Sequence, residues 1–496
     1  MKKYILSIDQ GTTSSRCIIF DTLGNIVSSS NKEFTQIYPK PSYVEHDPFE
    51  IYSSTYQSIV EAILKENINI DDILSVGITN QRETALVWDK NTGKPIYNAI
   101  CWQCRRTVDI IRAIDEDTKE YIFDNTGLTL DAYFSASKIK WILDNVEGAR
   151  EKANNGELLC GTVDTWLIWK FTNGKSFYTD YTNASRTMLF NIKTLEWDER
   201  LLKYFDIPRC MLPEVKSSNY NYGNAIIMNK EFPILAVCGD QQSALFGQNC
   251  FEIGDVKNTY GTGCFMLMNV GKEFVKSKNN LLTTIGISIN DEIIYALEGS
   301  VFNCGSIVKW LRDELKFIDK ASDSEYCATQ VEDSNGVFVV PAFTGLGAPY
   351  WDMYARATIF GLTRGANRNH IIRAALESIC YSVNDVLVSM KEDSGIDFNV
   401  LRVDGGASNN NFIMQYQSDV SNVIVERPKI METTSLGVYF IQCLSLGIFK
   451  DLNEIKEIWK LDKKYTKTLN DEYIRNKLKF WKKAIERSLE WEKQEG

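Results

Sequence analysis

Histidine is nearly absent from this sequence. His46 and His370 are its only histidines among 496 residues. Zinc sites with histidine ligands and Ser-His-Asp catalytic relays therefore have almost no residues from which to form. General-base chemistry, if the protein performs any, must fall mainly to carboxylates.

Long apolar runs and an excess of positive charge are missing as well. No stretch approaches the roughly 20 apolar residues that span a bilayer, and the apolar N-terminal run meets Asp9 too soon for a signal peptide. The formal net charge is −10, with 55 Lys and Arg against 65 Asp and Glu. We therefore expect a cytoplasmic protein with no membrane insertion and no nucleic-acid partner, which binds any phosphate through local donors.

The sequence has no dense disulfide framework. Its 12 cysteines are scattered from Cys17 to Cys443, a distribution typical of reduced thiols. Cys101 and Cys104 form a C-x-x-C motif with Trp102 inside it. A zinc site would need a second pair or histidine partners at matching spacing, and a redox pair would need its own small fold. We expect both thiols to be reduced and packed.

The common phosphate-binding motifs are also missing. Neither G-x-x-x-x-G-K-[ST] nor G-x-G-x-x-G occurs. Instead, two stretches have a strand, a Gly-Thr turn and a second strand, with no helix after the turn. The first includes Gly11-Thr12-Thr13, and the second, at 255–271, includes Gly261-Thr262-Gly263. Two ordinary hairpins would explain either stretch alone, but the repeat suggests an internal duplication in which a phosphate-facing hairpin opens each half.

The chain is too long for one compact core, so two large domains are expected. Apolar strand-like runs alternate with helix-like segments, which indicates an α/β architecture. A boundary near residue 250 rests on the repeated loop alone. The C-terminal segment predicts an amphipathic helix, because its apolar residues recur at steps of three and four: Ile474, Leu478, Trp481, Ile485 and Leu489.

Two polar clusters follow strands of the predicted first half. The first runs from Asp9 through four consecutive hydroxyl residues to Arg16 and would suit phosphate oxygens and Mg²⁺, or form a solvated surface turn. The second includes Arg82 and Glu83, which present donors and acceptors side by side, as a polyol with neighbouring hydroxyls requires. The alternative for this pair is a surface ion pair that contributes little.

Two further clusters follow later strands. Asp240 comes just past an apolar strand, where open α/β sheets place ligand sites, but an Asp there is often only the N-cap of the next helix. Asp404-Gly405-Gly406 would let a flat ligand or a phosphate approach the backbone. A tight strand-to-helix turn explains these glycines equally well.

Taken together, the chain resembles the FGGY carbohydrate kinases over essentially its whole length. The blocks "YFSASKIKWILDN" and "GLTRGANRNHIIRAALES" resemble the two signatures of that family. Within the family, the similarity is greatest to members that phosphorylate glycerol. Other similar blocks are "YILSIDQGTTSSR", "QIYPKPSYVEHDP", "GITNQRET", "GTVDTWLIWK", "TDYTNASRTMLFNI", "KNTYGTGCFMLMN", "PAFTGLGAPYWD" and "LRVDGGASNNNF".

This resemblance implies an α/β fold of two duplicated actin/Hsp70/hexokinase-like (ribonuclease H-like) domains with an interdomain cleft. Residues 1–250 would form the N-terminal domain with the polyol site and the first phosphate loop, and residues 251–496 the nucleotide-binding C-terminal domain. The resemblance also implies ATP and Mg²⁺ as cofactors and a homodimer or homotetramer. The repeated Gly-Thr loops are what such a duplication should leave behind.

The resemblance also implies roles for individual residues. Asp240 is similar to the catalytic base that takes the proton of the attacking glycerol hydroxyl, and Asp9 and Asp240 are the carboxylates on the metal side. The implied polyol contacts are Arg82, Glu83, Trp102, Tyr133, Asp240, Gln241 and Phe265, with Trp102 and Phe265 as aromatic walls. The implied nucleotide contacts are Thr12, Thr13, Ser14, Arg16, Thr262, Gly305, Lys309, Gly406 and Asn410.

The sequence departs from the family pattern at two places. Lys309 stands where glycerol-phosphorylating members commonly have Gln, so nucleotide preference is the property in question. The segment 221–234 lacks the Gly-Gly and Arg through which some relatives bind fructose 1,6-bisphosphate, and it has no histidine for regulatory phosphorylation. We expect both kinds of control to be absent or weak.

Three functions remain for comparison. The first is ATP-dependent phosphorylation of glycerol to sn-glycerol 3-phosphate by direct in-line transfer, the entry step of glycerol catabolism. The second is the same chemistry on another small polyol or ketose. The third is a non-catalytic nucleotide-binding switch. The Arg82-Glu83 pair with Trp102, Tyr133 and Phe265 favours a small triol, and Asp240 beside such a pocket argues against a switch.

Overall fold

The structure is a computed structural model that describes residues 2–493. The elements of the first half alternate between strands and helices along the chain. Its strands are β1 (Tyr4–Gln10), β2 (Ser14–Asp21), β3 (Ile26–Glu33), β4 (Glu45–His46), β5 (Ile73–Asn80), β6 (Leu86–Asp89), β7 (Ala99–Ile100), β8 (Leu158–Gly161), β9 (Tyr178–Asp180), β10 (Phe190–Asn191), β11 (Glu196–Trp197), β12 (Glu214–Lys216), β13 (Asn224–Ile227) and β14 (Lys230–Gly239). Its helices are α1 (Pro48–Lys65), α2 (Val108–Arg112), α3 (Glu116–Thr126), α4 (Ser135–Asn145), α5 (Ala149–Asn154), α6 (Val163–Phe171), α7 (Tyr181–Ala184), α8 (Glu199–Phe205) and α9 (Asp240–Gly247).

The second half begins with another hairpin. Its strands are β15 (Val256–Tyr260), β16 (Cys264–Gly271), β17 (Leu282–Ile289), β18 (Glu292–Val301), β19 (Phe338–Val340), β20 (Thr358–Phe360), β21 (Val400–Asp404), β22 (Ile424–Pro428) and β23 (Leu461–Tyr465). Its helices are α10 (Gly305–Asp313), α11 (Asp323–Thr329), α12 (Arg368–Ser394), α13 (Asn411–Ser421), α14 (Thr433–Ser445), α15 (Leu452–Ile458) and α16 (Asp471–Ser488).

The main sheets of the two halves share one pattern. Their strand orders are β13-β14-β5-β1-β2-β3 and β17-β18-β16-β15-β21-β22-β23. In the first, β1, β2 and β3 are antiparallel neighbours, and β5 and β14 continue the sheet parallel to β1. In the second, β15, β16 and β18 are antiparallel, and β21 and β22 continue it parallel to β15. This repeat confirms the predicted fold of two duplicated α/β domains.

The parallel strands of the first sheet are apolar on both faces, because helices cover both sides. Leu6 and Ile8 of β1 pack in one core with Ile51 and Ile59 of α1. Ile5 packs in the opposite core, which includes residues of α14. A helix from the second half of the sequence therefore covers one face of the first sheet.

Helices α9 and α14 follow the corresponding strands β14 and β22 and cross each other closely. A Cβ atom added at Gly247 would lie 2.1 Å from the backbone oxygen of Thr433, and one at Gly437 would lie 1.9 Å from that of Ser243. Each distance is shorter than any contact that a side chain could tolerate. The two glycines therefore permit the close approach of the helices at the centre of the molecule.

Helix ends follow the sequence signals. Asp47 caps α1, with Pro48 in the first turn, and Asn367 and His370 form a capping box at the start of α12. The predicted C-terminal amphipathic helix is confirmed as α16. Across residues 2–493, none of the helices combines the length and apolar character needed to span a bilayer.

Candidate active site

The site forms where three parallel strands of the first sheet end side by side. Gln10 of β1 is in register with Asn80 of β5, which is in register with Gly239 of β14. The segments that follow these strands therefore emerge at one edge of the sheet, where open α/β sheets bind ligands. They supply the first Gly-Thr loop, the Arg82-Glu83 pair and Asp240.

Arg82 and Glu83 belong to a buried ionic cluster rather than to the surface. The Arg82 guanidinium makes two hydrogen bonds to Glu298 of β18, at 2.6 and 2.9 Å. Arg186 bonds Glu83 at 2.6 Å and Glu298 at 3.0 Å. All four side chains are at most 2% exposed. The surface ion-pair alternative is therefore wrong, and two guanidinium groups balance two carboxylates across the two halves of the chain.

The cluster fixes the charge state of its members. Burial alone would raise the pKa of Glu298, but Arg186 and Arg82 lower it to about 2. Burial raises the pKa of Glu83, with the two arginines opposing it and Glu298 adding to it. Glu298 is thus held as an anion and keeps Arg82 in one orientation.

Asp240 lies at the rim of this cluster. Its Oδ1 atom is 3.2 Å from Nε of Arg82, and its side chain is 29% exposed, so one face of the carboxylate is open. Gly239 occupies the N-cap of α9 without a side-chain bond, and Asp240 is the first helical residue. Gly239 and not Asp240 is therefore the N-cap, so the N-cap alternative is wrong, although Oδ1 of Asp240 accepts from the N–H of Gln241 in the first turn at 2.7 Å.

Aromatic rings from both halves of the chain face each other beside these charges. The ring centroids of Trp102 and Tyr133 are 5.4 Å apart, at an angle of 79°. Those of Trp102 and Phe265 are 6.5 Å apart, at 85°. The Arg186 guanidinium carbon lies 5.9 Å from the Tyr133 ring centroid, so these edge-to-face rings adjoin the buried ionic cluster that has Asp240 at its rim. The structure thus brings together the residues predicted for the polyol.

Gln241 completes this group and has a partner that sequence reasoning did not single out. The ammonium group of Lys257, on β15, donates to Oε1 of Gln241 at 2.5 Å and to Oγ1 of Thr259 at 3.0 Å. Burial lowers the pKa of Lys257 to about 8. A buried lysine is costly unless it is paired, so its contact with a predicted site residue points to a role at the site.

The first Gly-Thr loop connects β1 to β2 with no helix after it, as predicted. Thr12, Thr13 and Ser14 are partly or fully exposed, whereas the Ser15 hydroxyl turns inward to Ser54 at 2.9 Å. Arg16 pairs with Glu432, the residue that precedes α14. Of the four consecutive hydroxyl residues, the first three are therefore accessible to a ligand, and the fourth anchors the hairpin to α1.

The second Gly-Thr loop is braced by the start of α10. The backbone N–H of Gly305 donates to the oxygen of Gly261 at 2.9 Å, and that of Cys304 to the oxygen of Thr262 at 2.9 Å. A Cβ at Gly305 would lie 2.7 Å from the Gly261 oxygen, so only glycine fits there. Thr262 itself is exposed, and Lys309 lies exposed further along the same helix.

The predicted nucleotide contacts that follow β21 lie on a strand-to-helix turn. Gly405 has a φ of +84°, and a Cβ there would lie 2.6 Å from the backbone oxygen of Tyr260. Gly406 is exposed and has open space around its Cβ position. Asn410 caps α13, because its side chain accepts from the N–H of Ile413 at 3.1 Å. The first glycine therefore serves the packing of the chain, whereas the second leaves room for a ligand.

Asp9 is a half-buried carboxylate near the end of β1, where a cation would stabilise its charge. Loss of solvent raises its pKa to about 7; Arg16 opposes this, and the nearby carboxylates of Asp240 and Glu432 add to it. Within residues 2–493, no group of three or more His, Cys, Asp or Glu side chains is arranged to hold a metal. Mg²⁺ bound with a nucleotide needs only one or two carboxylates besides water and phosphate oxygens, so Asp9 and Asp240 fit it.

The C-x-x-C motif contributes its tryptophan rather than its thiols. Cys101 and Cys104 are buried free cysteines, and burial raises the pKa of Cys101 to about 12. The Trp102 indole N–H donates to Oγ1 of Thr12 at 2.9 Å. The wall of the predicted polyol pocket is thereby bonded to the first predicted phosphate loop.

Sequence reasoning missed Glu298, Arg186 and Lys257. Each is fully buried. Glu298 stands between Leu297 and Gly299 in a largely apolar strand, and Lys257 stands between Val256 and Asn258. A single charge inside an apolar strand is a signal, because it requires a buried partner. The partners, however, lie up to 216 residues away in sequence, so only the folded chain identifies them.

Comparisons with known proteins agree with this geometry. The models of the FGGY family of carbohydrate kinases match residues 4–247 for its N-terminal domain and 256–446 for its C-terminal domain. A glycerol kinase of Clostridium perfringens is 61% identical over 496 residues, covering 99% of both chains. One of Fusobacterium nucleatum is 60% identical over 495 residues, covering 99% of this chain and all of its own.

Solved structures are similar as well. A glycerol kinase of Plasmodium falciparum with ADP is 40% identical with a TM-score of 0.92, covering 98% of each chain. A ligand-bound xylulose kinase of Lactobacillus acidophilus is 22% identical with a TM-score of 0.87, covering 98% of this chain and 97% of its own, and it supports the fold alone. The chain therefore belongs to the FGGY family of carbohydrate kinases, and its relatives at about 60% identity are glycerol kinases.

Proposed function

We propose that the protein transfers the γ-phosphoryl group of ATP to a terminal hydroxyl of glycerol, which gives sn-glycerol 3-phosphate. The observation that best supports this is the partly exposed Asp240 carboxylate, 3.2 Å from buried Arg82, in a cluster whose Arg186 adjoins the Tyr133 ring. The names of the relatives, which are glycerol kinases, support the choice of substrate. We further propose that the reaction is the entry step of glycerol catabolism in the cytoplasm.

Three kinds of group bind the polyol in this proposal. Arg82 donates to one hydroxyl, and Glu83 accepts from a neighbouring one. Trp102 and Phe265 cover the carbon backbone, and Tyr133 and Gln241 complete the pocket. A three-carbon triol is the smallest polyol with neighbouring hydroxyls for this pair and a further terminal hydroxyl for Asp240.

Asp240 acts as the general base in this mechanism. Its carboxylate takes the proton of the attacking hydroxyl as the oxygen approaches the γ-phosphorus in line with the leaving ADP oxygen. Positioning and charge neutralisation supply most of the remaining catalysis in phosphoryl transfer. In a chain with two histidines, a carboxylate base is also the available chemistry.

The nucleotide is bound through both Gly-Thr loops in this proposal. Thr12, Thr13, Ser14 and Arg16 meet its phosphates from the first half, and Thr262 from the second. Gly305, Lys309, Gly406 and Asn410 lie on the nucleoside side. Asp9 and Asp240 hold Mg²⁺, which neutralises charge on the phosphate oxygens when bound.

We also propose the larger organisation that the sequence suggested. Residues 1–250 form the polyol domain and residues 251–496 the nucleotide domain, and the active form is a homodimer or homotetramer. Closure of the two domains over both substrates would exclude water and limit wasteful ATP hydrolysis.

The test is ADP release from MgATP with a panel of polyols and sugars. Turnover with glycerol, with far lower kcat/KM for xylulose and gluconate, is the expected result. Preferred turnover of a ketose or of another polyol would move the substrate assignment to the alternative FGGY activity. An absence of turnover with every compound would favour a nucleotide-binding switch.

A further inference from the structure

Lys257 is a buried charge whose role the proposed reaction does not yet explain. It stands on β15, the first strand of the second half, and its side chain is fully buried. Its ammonium group donates to Oε1 of Gln241 at 2.5 Å and to Oγ1 of Thr259 at 3.0 Å. Lys257 therefore connects the second sheet to a predicted polyol contact at the start of α9.

This contact determines which way the Gln241 amide faces. An ammonium group has only donors, whereas a glutamine amide has an acceptor oxygen and a donor NH₂ group. A flip of the amide would place NH₂ against NH₃⁺ and lose a charge-assisted bond. The oxygen therefore stays on Lys257, and Nε2 stays on the opposite side, 3.4 Å from Oδ2 of Asp240.

We propose that Lys257 is a positioning residue for the phosphoryl-transfer site, which fixes Gln241 with its amide donors toward Asp240 and the polyol. This inference rests on the proposed function. It makes Gln241 a donor only, so the amide bonds oxygen lone pairs of Asp240 and of a substrate hydroxyl. The inference also makes the selectivity of the site for its polyol substrate depend on Lys257, a residue of the second half of the chain.

The charges around Lys257 support this role. Burial is the main cause that lowers the pKa of Lys257 to about 8, and the positive charge of Arg82 also lowers it. The carboxylates of Asp404, Asp240 and Glu298 partly offset this effect. The ammonium form therefore prevails at pH 7. The carboxylate of Asp404 accepts its hydrogen bonds from Gln248 at 2.8 Å and from Thr433 at 2.6 Å. Lys257 bonds Gln241 directly.

The test is a double-mutant cycle with Lys257→Met, Gln241→Met and the combined variant. Lys257→Met should lower kcat/KM for glycerol about tenfold or more, as expected on loss of a hydrogen bond to a charged group. The KM for MgATP should change by about twofold or less, because the lost contact acts on the polyol side. In the Gln241→Met background, the loss of Lys257 should cost little further activity, since the amide it orients is gone.

If Lys257→Met does not fold, the combined variant can still be measured against Gln241→Met. It replaces the whole polar pair with two apolar side chains of similar size and so leaves no buried polar group unpaired. A further fall of about tenfold relative to Gln241→Met alone would overturn the proposal, since Lys257 would then act independently of Gln241. An unchanged kcat/KM for glycerol in Lys257→Met, or a rise confined to the KM for MgATP, would overturn it as well.

A matched control is Lys477→Met, which removes another buried lysine. Lys477 lies on α16, and its ammonium group donates to the hydroxyl of Ser334 at 3.1 Å. This variant should lower stability and leave both KM values unchanged. Wild-type turnover distinguishes a failure of the proposed function from a failure of the proposed role of Lys257. If the wild type does not phosphorylate glycerol, the proposed function fails. If it does and the cycle shows no coupling, only the role of Lys257 fails.

Discussion

The proposed polyol end and the proposed nucleotide end of the candidate site are built in different ways. At the polyol end, Arg82, Glu83, Arg186 and Glu298 are buried and bonded to one another. At the nucleotide end, Thr13, Thr262, Lys309 and Gly406 are exposed, and the loops are held by backbone bonds. The first end is preorganised by charge, and the second offers backbone and hydroxyl groups around open space.

Under the proposed function, substrate specificity resides at the polyol end. A buried arginine that is fixed by two carboxylates cannot follow a ligand of another shape without leaving a charge unpaired. Exposed hydroxyls and glycines can bind a polyphosphate with small changes of conformation and at little cost in free energy. We therefore expect substitutions at the polyol end to have large effects, and those at the nucleotide end to have small ones.

Asp240→Asn is expected to have the largest effect on catalysis. Removal of the proton acceptor should lower kcat by about 10²- to 10⁴-fold, with a much smaller change in the KM for glycerol, because the amide still meets Arg82. Steady-state kinetics with glycerol and MgATP would measure this. Asp164→Asn, which changes another buried carboxylate that is bonded to Thr162 and Thr179, is the control. A kcat near the wild-type value in Asp240→Asn would rule out the base.

Glu298→Gln should lower both stability and glycerol affinity. The variant leaves the two buried guanidinium groups with Glu83 and the partly exposed Asp240 as their remaining carboxylates. Breaking a buried ion pair costs about 3–5 kcal/mol. Urea unfolding would measure the loss, and the KM for glycerol should rise because Arg82 loses its anchor. Glu377→Gln, a buried carboxylate paired with Arg373 at 2.9 Å, is the control and should lower stability alone.

The pH dependence of that stability difference has a definite sign. The pKa of Glu298 is lowered in the folded protein from its ordinary value of 4.5 to about 2. The carboxylate therefore contributes its full stabilisation above about pH 5, and this contribution is lost as the pH falls toward 2. Unfolding free energies of the wild type and Glu298→Gln should converge on acidification. A gap that stays constant from pH 7 to the acid limit would contradict the ionic role.

Substitutions of Trp102 separate its two contacts. Trp102→Ala removes an aromatic wall and should raise the KM for glycerol about tenfold or more. Trp102→Phe keeps a ring but loses the N–H that bonds Thr12, so its main effect should fall on kcat and be a fewfold change. Replacement of Cys101 and Cys104 with Ala is the control, and activity should persist. Equal effects of Phe and Ala on the KM for glycerol would contradict the wall.

Lys309→Gln should have the smallest effect. The side chain is exposed, and the change introduces the residue that the resemblance implies for members that phosphorylate glycerol. We expect the KM for MgATP to shift by about threefold or less, in line with a solvated contact, and the KM for glycerol to stay the same. A tenfold or larger change in the KM for glycerol would contradict the division between the two ends.

The sequence predicted the backbone of the site better than its charges. The two Gly-Thr loops gave the duplication, because a turn between strands leaves a local pattern. Arg82, Glu83 and Asp240 could be found because each follows a strand. The role of Glu298 as an anchor could not be found from the sequence, since it depends on Arg82, which follows a strand of the other sheet. For Gly405, a ligand and a tight turn are equally good explanations from the sequence, and its contact with Tyr260 supports the turn. Gly305, an expected nucleotide contact, also packs against Gly261.

The stereochemistry of the product tests the central claim most directly. Purified protein would be incubated with MgATP and a limiting amount of glycerol, and the product would be oxidised with a dehydrogenase specific for sn-glycerol 3-phosphate. We expect one ADP per glycerol and complete oxidation of the product, because in the proposed mechanism one terminal hydroxyl faces Asp240. Release of free phosphate, or an ester that the dehydrogenase leaves unoxidised, would contradict it.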